Sequence, residues 1–379
     1  MRPFGPLLLS ANSFWNIANF RGQLVEALVR TGYPVWIAAP DVDLAWARAR
    51  GVDAIDIAID RSGLNPVKDG VLLLDYLRLF RRTKPDFYLG FTAKPNIYGS
   101  LAAQLLGVPS LPNVSGLGTA FMSDGPLTRF VSLLYRIAFR RCPIVFFQNP
   151  DDLDLFVARK IVRSGQARIL PGSGIDLAHF APAPMPADID APTFLFIGRL
   201  LGDKGVREFA DAARRIRIEQ PGWRFQLLGD IDPGNRTGIS ADELRQWIDD
   251  KLIEHLGYSE DIRPHIARAS AIVLPSYREG LPRSLLEGAA MARPLIASDV
   301  PGNRQLVEHG VNGLLCAARD SGSLADAMLR FGSIAPDHRV QMGLAGRALV
   351  EREYGVERVI AAYLEALTQL ANETGVRDN

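Results

Sequence analysis

The sequence holds only two cysteines, Cys142 and Cys316. They are too few and too far apart for a disulfide framework or a zinc ribbon, and they fit a reducing compartment. No apolar run approaches the ~20 residues of a membrane-spanning helix. The short run LLLS at 7–10 has no small-residue cleavage site after it and reads as a buried first strand. Histidine is scarce, with five residues at 179, 255, 265, 309 and 338. Net charge is nearly absent, because 43 Lys and Arg face 42 Asp and Glu.

That balance hides an asymmetry. Residues 1–185 carry 20 Lys and Arg against 14 Asp and Glu, whereas residues 186–379 carry 23 against 28. The first half is expected to face something anionic, either a membrane surface or a phosphorylated ligand. At 379 residues the chain has length for two domains of ordinary size. Short apolar runs alternate with amphipathic stretches throughout, the pattern of βα units around a parallel sheet buried on both faces. Strands are expected at 6–10, 35–39, 54–57, 87–90, 110–114, 144–148 and 168–170 in the first half. In the second they are expected at 193–198, 224–229, 253–256, 271–275, 294–298 and 313–316. The segment FAPAPMPADIDAP at 180–192 is too rich in proline to continue a helix or central strand. It divides an N-terminal domain (1–180) from a C-terminal one (193–355), with 181–192 as linker. Residues 356–379 form a last helix long enough to cross back to the first domain. Two doubly wound α/β domains of this kind are expected to face a ligand-binding cleft.

The strongest local signal is the run IVLPSYREGLPRSLLE at 272–287, a buried strand, a turn, and a helix expected to begin with Pro282 at its first position. It places two carboxylates, Glu279 at the loop mouth and Glu287 on the helix. One can accept hydrogen bonds from ribose hydroxyls and the other from a hexose, while the helix N-terminus between them suits phosphate. The second signal, TFLFIGRLLGDKG at 193–205, ends a strand at Gly198 and supplies Arg199 and Lys204. Arg199 can grip phosphate oxygens bidentately and Lys204 adds a compact charge, a pair suited to a diphosphate leaving group. Together the four residues point to a nucleotide sugar. The acidic pairs Asp151-Asp152 and Asp249-Asp250 are expected on solvated helix faces.

These residues resemble the retaining glycosyltransferases of family four, which have the GT-B fold of two Rossmann-like domains. Glu279 and Glu287 match that family's E-x7-E motif, and Arg199 and Lys204 its diphosphate-binding pair. The run GIDLAHF at 174–180 looks like its segment before the hinge. Residues 19–21 (NFR), 94–96 (KPN) and 113–118 (NVSGLG) look like the branch that extends undecaprenyl-diphosphate-linked sugars, of the diacetylbacillosaminyl-diphospho-undecaprenol N-acetylgalactosaminyltransferase type. The resemblance implies a hexosyltransferase that uses a UDP-sugar donor and a polyprenyl-diphosphate-linked acceptor in bacterial glycan assembly. It implies no cofactor and no metal. Glu287 would hold the ribose, Glu279 with the Gly280 and Leu281 backbone the donor sugar, and Arg199 and Lys204 the diphosphate beside Gly198. The acceptor would meet the first domain, with Arg21 and Lys94 on its diphosphate. Many relatives carry a His in the N-domain loop near the donor sugar, but residues 110–118 read SLPNVSGLG and have none. Asn113 and Ser115 are candidates for that region and, with Arg21 and Lys94, for acceptor binding; no general base is assigned. Gly116 and Gly118 do not complete a G-x-G-x-x-G pattern, so a dinucleotide site has little support.

An acceptor with a lipid tail raises the question of the membrane. On a helix over 127–142, Arg129, Arg136 and Arg140 fall within about 40° of one another beside an apolar face, as on an interfacial helix. Residues 71–84, with Arg78, Arg81 and Arg82, form a second candidate. The resulting expectation is a cytoplasmic protein held peripherally on the inner face of the cytoplasmic membrane, with no nucleic-acid partner. Two alternatives remain: a UDP-sugar 2-epimerase or hydrolase of the same fold, and a nucleotide-sugar-binding module without turnover. The histidine distribution disfavours the epimerase, and the intact diphosphate clamp disfavours the module.

Overall fold

A computed structural model describes residues 5–60, 65–117, 121, 125–186, 191–235 and 237–374. The chain divides into two units, Met1–Gly174 with Val356–Asn379, and Ile175–Gly355. In the first unit, β1 (Leu7–Ser10), β2 (Val35–Ala39), β3 (Asp53–Asp56) and β4 (Phe87–Gly90) form a parallel sheet in the order β3-β2-β1-β4. A second parallel sheet, β5 (Asn113–Val114), β6 (Val145–Phe147) and β7 (Ala167–Ile169), is joined to it by single bridges from Tyr88 to Ser110 and from Phe91 to Asn113. The second unit holds β8 (Thr193–Ile197), β9 (Arg224–Leu228), β10 (Glu254–Gly257), β11 (Ala271–Leu274), β12 (Leu295–Ser298) and β13 (Gly313–Cys316). Its order is β10-β9-β8-β11-β12-β13, again parallel. Both orders run outward from the first strand and then reverse, as in Rossmann-like folds.

All thirteen expected strands are present; the central ones, covered on both faces, are almost wholly apolar and stand out in sequence, whereas β3, β7 and β10 at the sheet edges are more exposed. Their ends differ by a residue or so, except that the strand expected at 110–114 shortens to Asn113–Val114, with Ser110 making only an isolated bridge. The crossover helices carry the local signals that start and stop helices. Phe14–Thr31 is capped by Ser13, whose hydroxyl accepts from the Asn16 amide at 3.2 Å, and is closed by Gly32.

Three expectations are corrected. The proline-rich stretch is not a free linker: the boundary falls at Gly174–Ile175, and residues 175–186 belong to the second unit. Two arginines hold it there. Buried Arg293 donates to the Ala183 and Pro184 carbonyls at 2.9 and 2.6 Å, and Arg347 donates to the Phe180 carbonyl at 2.8 Å. Residues 187–190 of the expected linker lie outside the described residues, as does Gly118. The helix expected to begin with Pro282 starts at Arg283, with Pro282 in extended backbone as its cap. Asp152 is buried rather than solvated; it accepts from Asn149 Nδ2 at 3.1 Å in the first turn of Pro150–Ala158, where a carboxylate also suits the helix dipole.

The last helix, Val356–Thr374, belongs to the first unit. Val359, Tyr363, Leu367 and Leu370 form one stripe and share a core with Leu7, Leu9, Phe14 and Ile37. Inside that contact, buried Asn113 donates from Nδ2 to the Tyr363 hydroxyl at 3.0 Å. Burial pushes the Tyr363 phenol up to about 12, partly offset by the Arg21 charge and the Asn113 bond. A Tyr363→Phe variant keeps the ring and removes the acceptor of a buried donor. It is expected to lose about 1–3 kcal/mol of stability, read as a lower midpoint in urea unfolding with an unchanged slope.

Candidate active site

In the second unit the strand order reverses between β8 and β11, and ligand sites of such sheets lie at the carboxyl ends of the strands there. The loop after β8 runs through Gly198 and Arg199 to a 3-10 turn at Gly202–Lys204, and the loop after β11 carries Glu279 into the helix Arg283–Ala290. Gly205 makes their approach possible. It has φ +77°, and a Cβ on it would lie 2.1 Å from the Pro275 carbonyl oxygen. The Tyr277 amide then donates to the Asp203 carbonyl at 2.9 Å, which ties one loop to the other.

The consequence is a direct ion pair. Lys204 Nζ donates to Glu279 Oε1 at 2.6 Å and to Oε2 at 2.9 Å, with the Glu279 side chain only 9% exposed. Tyr277 is fixed beside it: its hydroxyl donates to Glu208 Oε1 at 2.5 Å, and the Arg319 guanidinium lies 4.6 Å from its ring centre. Burial pushes the Tyr277 phenol up to about 12.

A third loop completes the edge. Gly302, after β12, has φ +83°, and a Cβ there would lie 2.5 Å from the Gly280 carbonyl oxygen and 2.7 Å from that of Glu279. Behind it, Asn303 Nδ2 donates to the Ser298 carbonyl at 2.9 Å and to the Ser298 hydroxyl at 3.1 Å, and the Ser298 hydroxyl donates to the Ser276 carbonyl. Ser276, Ser298 and Asn303 are fully buried, so the ends of β11 and β12 are locked together in the interior.

Glu287 lies on the Arg283–Ala290 helix, buried, and accepts from Arg283 Nε at 2.8 Å. Burial raises its carboxyl above the ordinary glutamate value, and the Arg283 charge and hydrogen bond work against that rise. Arg199 is mostly exposed and bonds Asp232 at 2.9 Å; the Gly198 amide donates to the Leu228 carbonyl at 3.0 Å. Gly280 is buried, and Leu281 packs on the second unit's core. All seven donor-side residues expected from sequence thus lie on β8 and β11 loops or on the helix that follows β11. Gly205, Gly302, Tyr277 and the Ser276–Ser298–Asn303 lock were missed. The Pro301-Gly302 pair after a buried strand was a legible turn signal for one of them.

The first-unit residues expected to bind the acceptor have packing partners that sequence did not disclose. Arg21 is buried with its guanidinium 4.7 Å from the centre of the Phe91 ring, and Asn113 bonds Tyr363. Lys94 donates to Asp69 at 2.7 Å in a pair whose side chains are 14% and 8% exposed. Ser115 is half-buried. On the helix Pro126–Phe139, Arg129 and Arg136 are exposed, as is Arg140 just past its end, and Arg136 donates to the Arg159 and Lys160 carbonyls at 2.7 and 3.1 Å. Half-exposed Leu127, Phe130, Leu133 and Ile137 lie alongside. On the other candidate helix, Pro66–Thr83, Arg78 pairs with Asp75 at 2.7 Å.

Comparison with known proteins matches residues 17–172 to the family described as "Glycosyl transferase 4-like domain" and residues 191–333 to "Glycosyl transferases group 1". The chain is 30% identical to UDP-Gal:alpha-D-GlcNAc-diphosphoundecaprenol alpha-1,3-galactosyltransferase of Escherichia coli over 284 residues, 70% of each chain. It is 26% identical to N,N'-diacetylbacillosaminyl-diphospho-undecaprenol alpha-1,3-N-acetylgalactosaminyltransferase of Campylobacter jejuni over 366 residues, 91% of this chain and 93% of that one. Among solved structures, sucrose-phosphate synthase of Thermosynechococcus elongatus is similar with a TM-score of 0.80 at 20% identity, covering 97% and 100% of the two chains.

Two predictions follow from this geometry. A Gly302→Ala variant must push the Glu279–Gly280 carbonyls away, so transfer activity is expected to fall at least tenfold in initial-rate assays at a temperature where circular dichroism shows the variant folded. Glu287 binds its proton more tightly folded than unfolded, so it subtracts stability as pH rises from its ordinary value through the raised one. Glu287→Gln removes that dependence. The melting temperature of the variant relative to the parent is expected to rise between pH 4 and pH 8, and a flat difference would contradict the burial argument.

Proposed function

Because the chain belongs to the glycosyltransferases, with two Rossmann-like units of the GT-B type, we propose that it moves a hexose or N-acetylhexosamine from a UDP-sugar to a polyprenyl-diphosphate-linked sugar and retains the anomeric configuration. The observation that carries this reading is the Lys204–Glu279 pair at the switch point of the second unit. In the free protein each side chain satisfies the other's charge, and a bound donor would exchange those partners. Lys204, with Arg199, would turn to the diphosphate, Glu279 and the Gly280 and Leu281 backbone to the sugar hydroxyls, and Glu287 to the ribose.

In the proposed step the bond from the sugar C1 to the UDP oxygen breaks and the acceptor hydroxyl oxygen bonds C1 on the same face. The acceptor proton passes to the departing phosphate oxygen, so no protein base is assigned. Charge on the leaving diphosphate is assigned to Lys204 and Arg199, with no metal required. Two named relatives act on undecaprenyl-diphosphate-linked sugars and one takes UDP-galactose, which supports this donor and acceptor class. Peripheral contact with an anionic membrane is part of the same reading. It is supported by the exposed Leu127, Phe130, Leu133 and Ile137 beside Arg129, Arg136 and Arg140. No helix among the described residues is long and apolar enough to cross a membrane.

The test is incubation with labelled UDP-sugars and an undecaprenyl-diphosphate-linked sugar, with and without EDTA. Transfer with unchanged anomeric configuration by NMR, insensitive to EDTA, is expected. Lys204→Ala should lower kcat/KM by about 10²–10³. Inverted product, or a Lys204→Ala enzyme of full activity, would refute the assignment.

A further inference from the structure

A helix of one turn cannot satisfy its own last carbonyls, and two side chains do so for Asn303–Leu306, the helix that follows Gly302. The Tyr354 hydroxyl donates to the Gln305 carbonyl at 2.8 Å, and Asn312 Nδ2 donates to the Leu306 carbonyl at 2.8 Å. We infer that Tyr354 is a positioning residue for the donor sugar: through Gln305 it holds the Gly302 turn against the Glu279–Gly280 backbone.

Tyr354 is itself fixed. It closes the helix Pro336–Glu353; its amide donates to the Val350 carbonyl at 2.8 Å, and its carbonyl accepts from the Ile175 amide at 2.9 Å. That helix is seated on the one that carries Glu287. Arg347 donates to the Ala290 carbonyl at 2.7 Å, at the end of Arg283–Ala290, and a Cβ on Gly343 would lie 2.1 Å from the Ala292 carbonyl oxygen. The Tyr354 side chain packs in the second unit's core, and burial pushes its phenol up to about 12, so the hydroxyl keeps its proton at neutral pH.

The other end of the bond is the turn that the candidate site leans on. The Gln305 amide donates to the Gly302 carbonyl at 3.3 Å, and Gly302 is the residue whose Cβ would strike the Glu279 and Gly280 carbonyl oxygens. Asn303 ties the start of this short helix to Ser298, and Tyr354 ties its end. Without the hydroxyl the Gln305 carbonyl loses its donor, and the turn is no longer joined to Pro336–Glu353. The inference rests on the donor reading above, which gives the sugar to Glu279 with the Gly280 and Leu281 backbone, and the nucleotide to Glu287 and Arg199. A shifted Gly302 turn disturbs the first set, whereas Glu287 keeps its bond from Arg283. The effect is therefore selective for the sugar.

The test compares the full-length parent with Tyr354→Phe, which keeps the ring, and with Ile216→Val, which trims the second unit's core on another helix. UDP, UDP-galactose and UDP-N-acetylgalactosamine are titrated calorimetrically below the melting temperature of each protein. Hydrogen exchange of residues 302–307 is followed by mass spectrometry without ligand. In Tyr354→Phe the nucleotide sugar that binds the parent more tightly is expected to bind at least about fivefold more weakly, with UDP within about twofold, and residues 302–307 to exchange at least about fivefold faster. Ile216→Val is expected to leave the ratio of nucleotide-sugar to UDP affinity unchanged. Equal weakening of UDP and nucleotide sugar in Tyr354→Phe, the same selective loss in Ile216→Val, or unchanged exchange or sugar affinity in Tyr354→Phe overturns the inference. A parent that binds neither nucleotide sugar refutes the donor reading instead, and exchange alone then decides whether Tyr354 holds the turn.

Discussion

The candidate site of the second unit depends on how closely three loops pack at one edge of its sheet. β8 and β11 are neighbours although more than seventy residues separate them, because the strand order reverses there. Adjacent strands alone would leave their loops apart by the thickness of a side chain. Gly205 against the Pro275 carbonyl and Gly302 against the Glu279 and Gly280 carbonyls remove that thickness. The loops therefore touch through backbone, and Lys204 reaches Glu279 with both carboxylate oxygens engaged. The buried Ser276–Ser298–Asn303 lock behind them keeps the edge rigid, which is what a site needs if its charges are to be in place before the ligand arrives.

What could be read from sequence follows from which forces are local. Central strands such as β1, β4, β11 and β12 are buried along their length and declare themselves as apolar runs, and the strand–turn–helix context placed Glu279, Glu287, Arg199 and Lys204 on the loops and helix after β8 and β11. The domain boundary was not legible. Proline fixes φ and denies a donor, which predicts that residues 180–186 are irregular but not what they adhere to. Arg293 and Arg347, more than a hundred residues away, decide that by bonding the carbonyls of Phe180, Ala183 and Pro184. The partners of Lys94 and Asn113 escaped for the same reason: Asp69 and Tyr363 lie 25 and 250 residues from them.

The first unit uses its polar residues differently. Arg21 against Phe91, Asn113 on Tyr363 and Lys94 on Asp69 are buried contacts near the carboxyl ends of β1 and β4. Removing charge or amide from water is offset only if each group finds a partner, and here the partners include the C-terminal helix. Chain from both ends of the sequence thereby completes one unit. The excess of positive charge survives the structural division: the unit formed by residues 1–174 and 356–379 carries 22 Lys and Arg against 17 Asp and Glu.

Cations in this protein fall into two kinds, and the distinction separates scaffold from site. Arg293 is fully buried and donates to the carbonyls of Ala183, Pro184, Ile266 and Ala267. Burial brings it down to about 10, so it stays charged at neutral pH, and the carbonyl dipoles solvate it in place of water. Such a guanidinium has little left to offer a ligand. Lys204 instead spends its charge on one carboxylate, at an edge where its side chain is still 31% exposed. As a device for stability that arrangement is poor, since an ion pair largely withdrawn from water returns little beyond its desolvation. Its place at the switch point suits the proposed donor binding better: each side chain holds the other at the sheet's edge. In the proposed donor complex a diphosphate and a sugar hydroxyl would replace that internal pair, exchanging one set of charge-assisted hydrogen bonds for another without first exposing an unpaired buried charge.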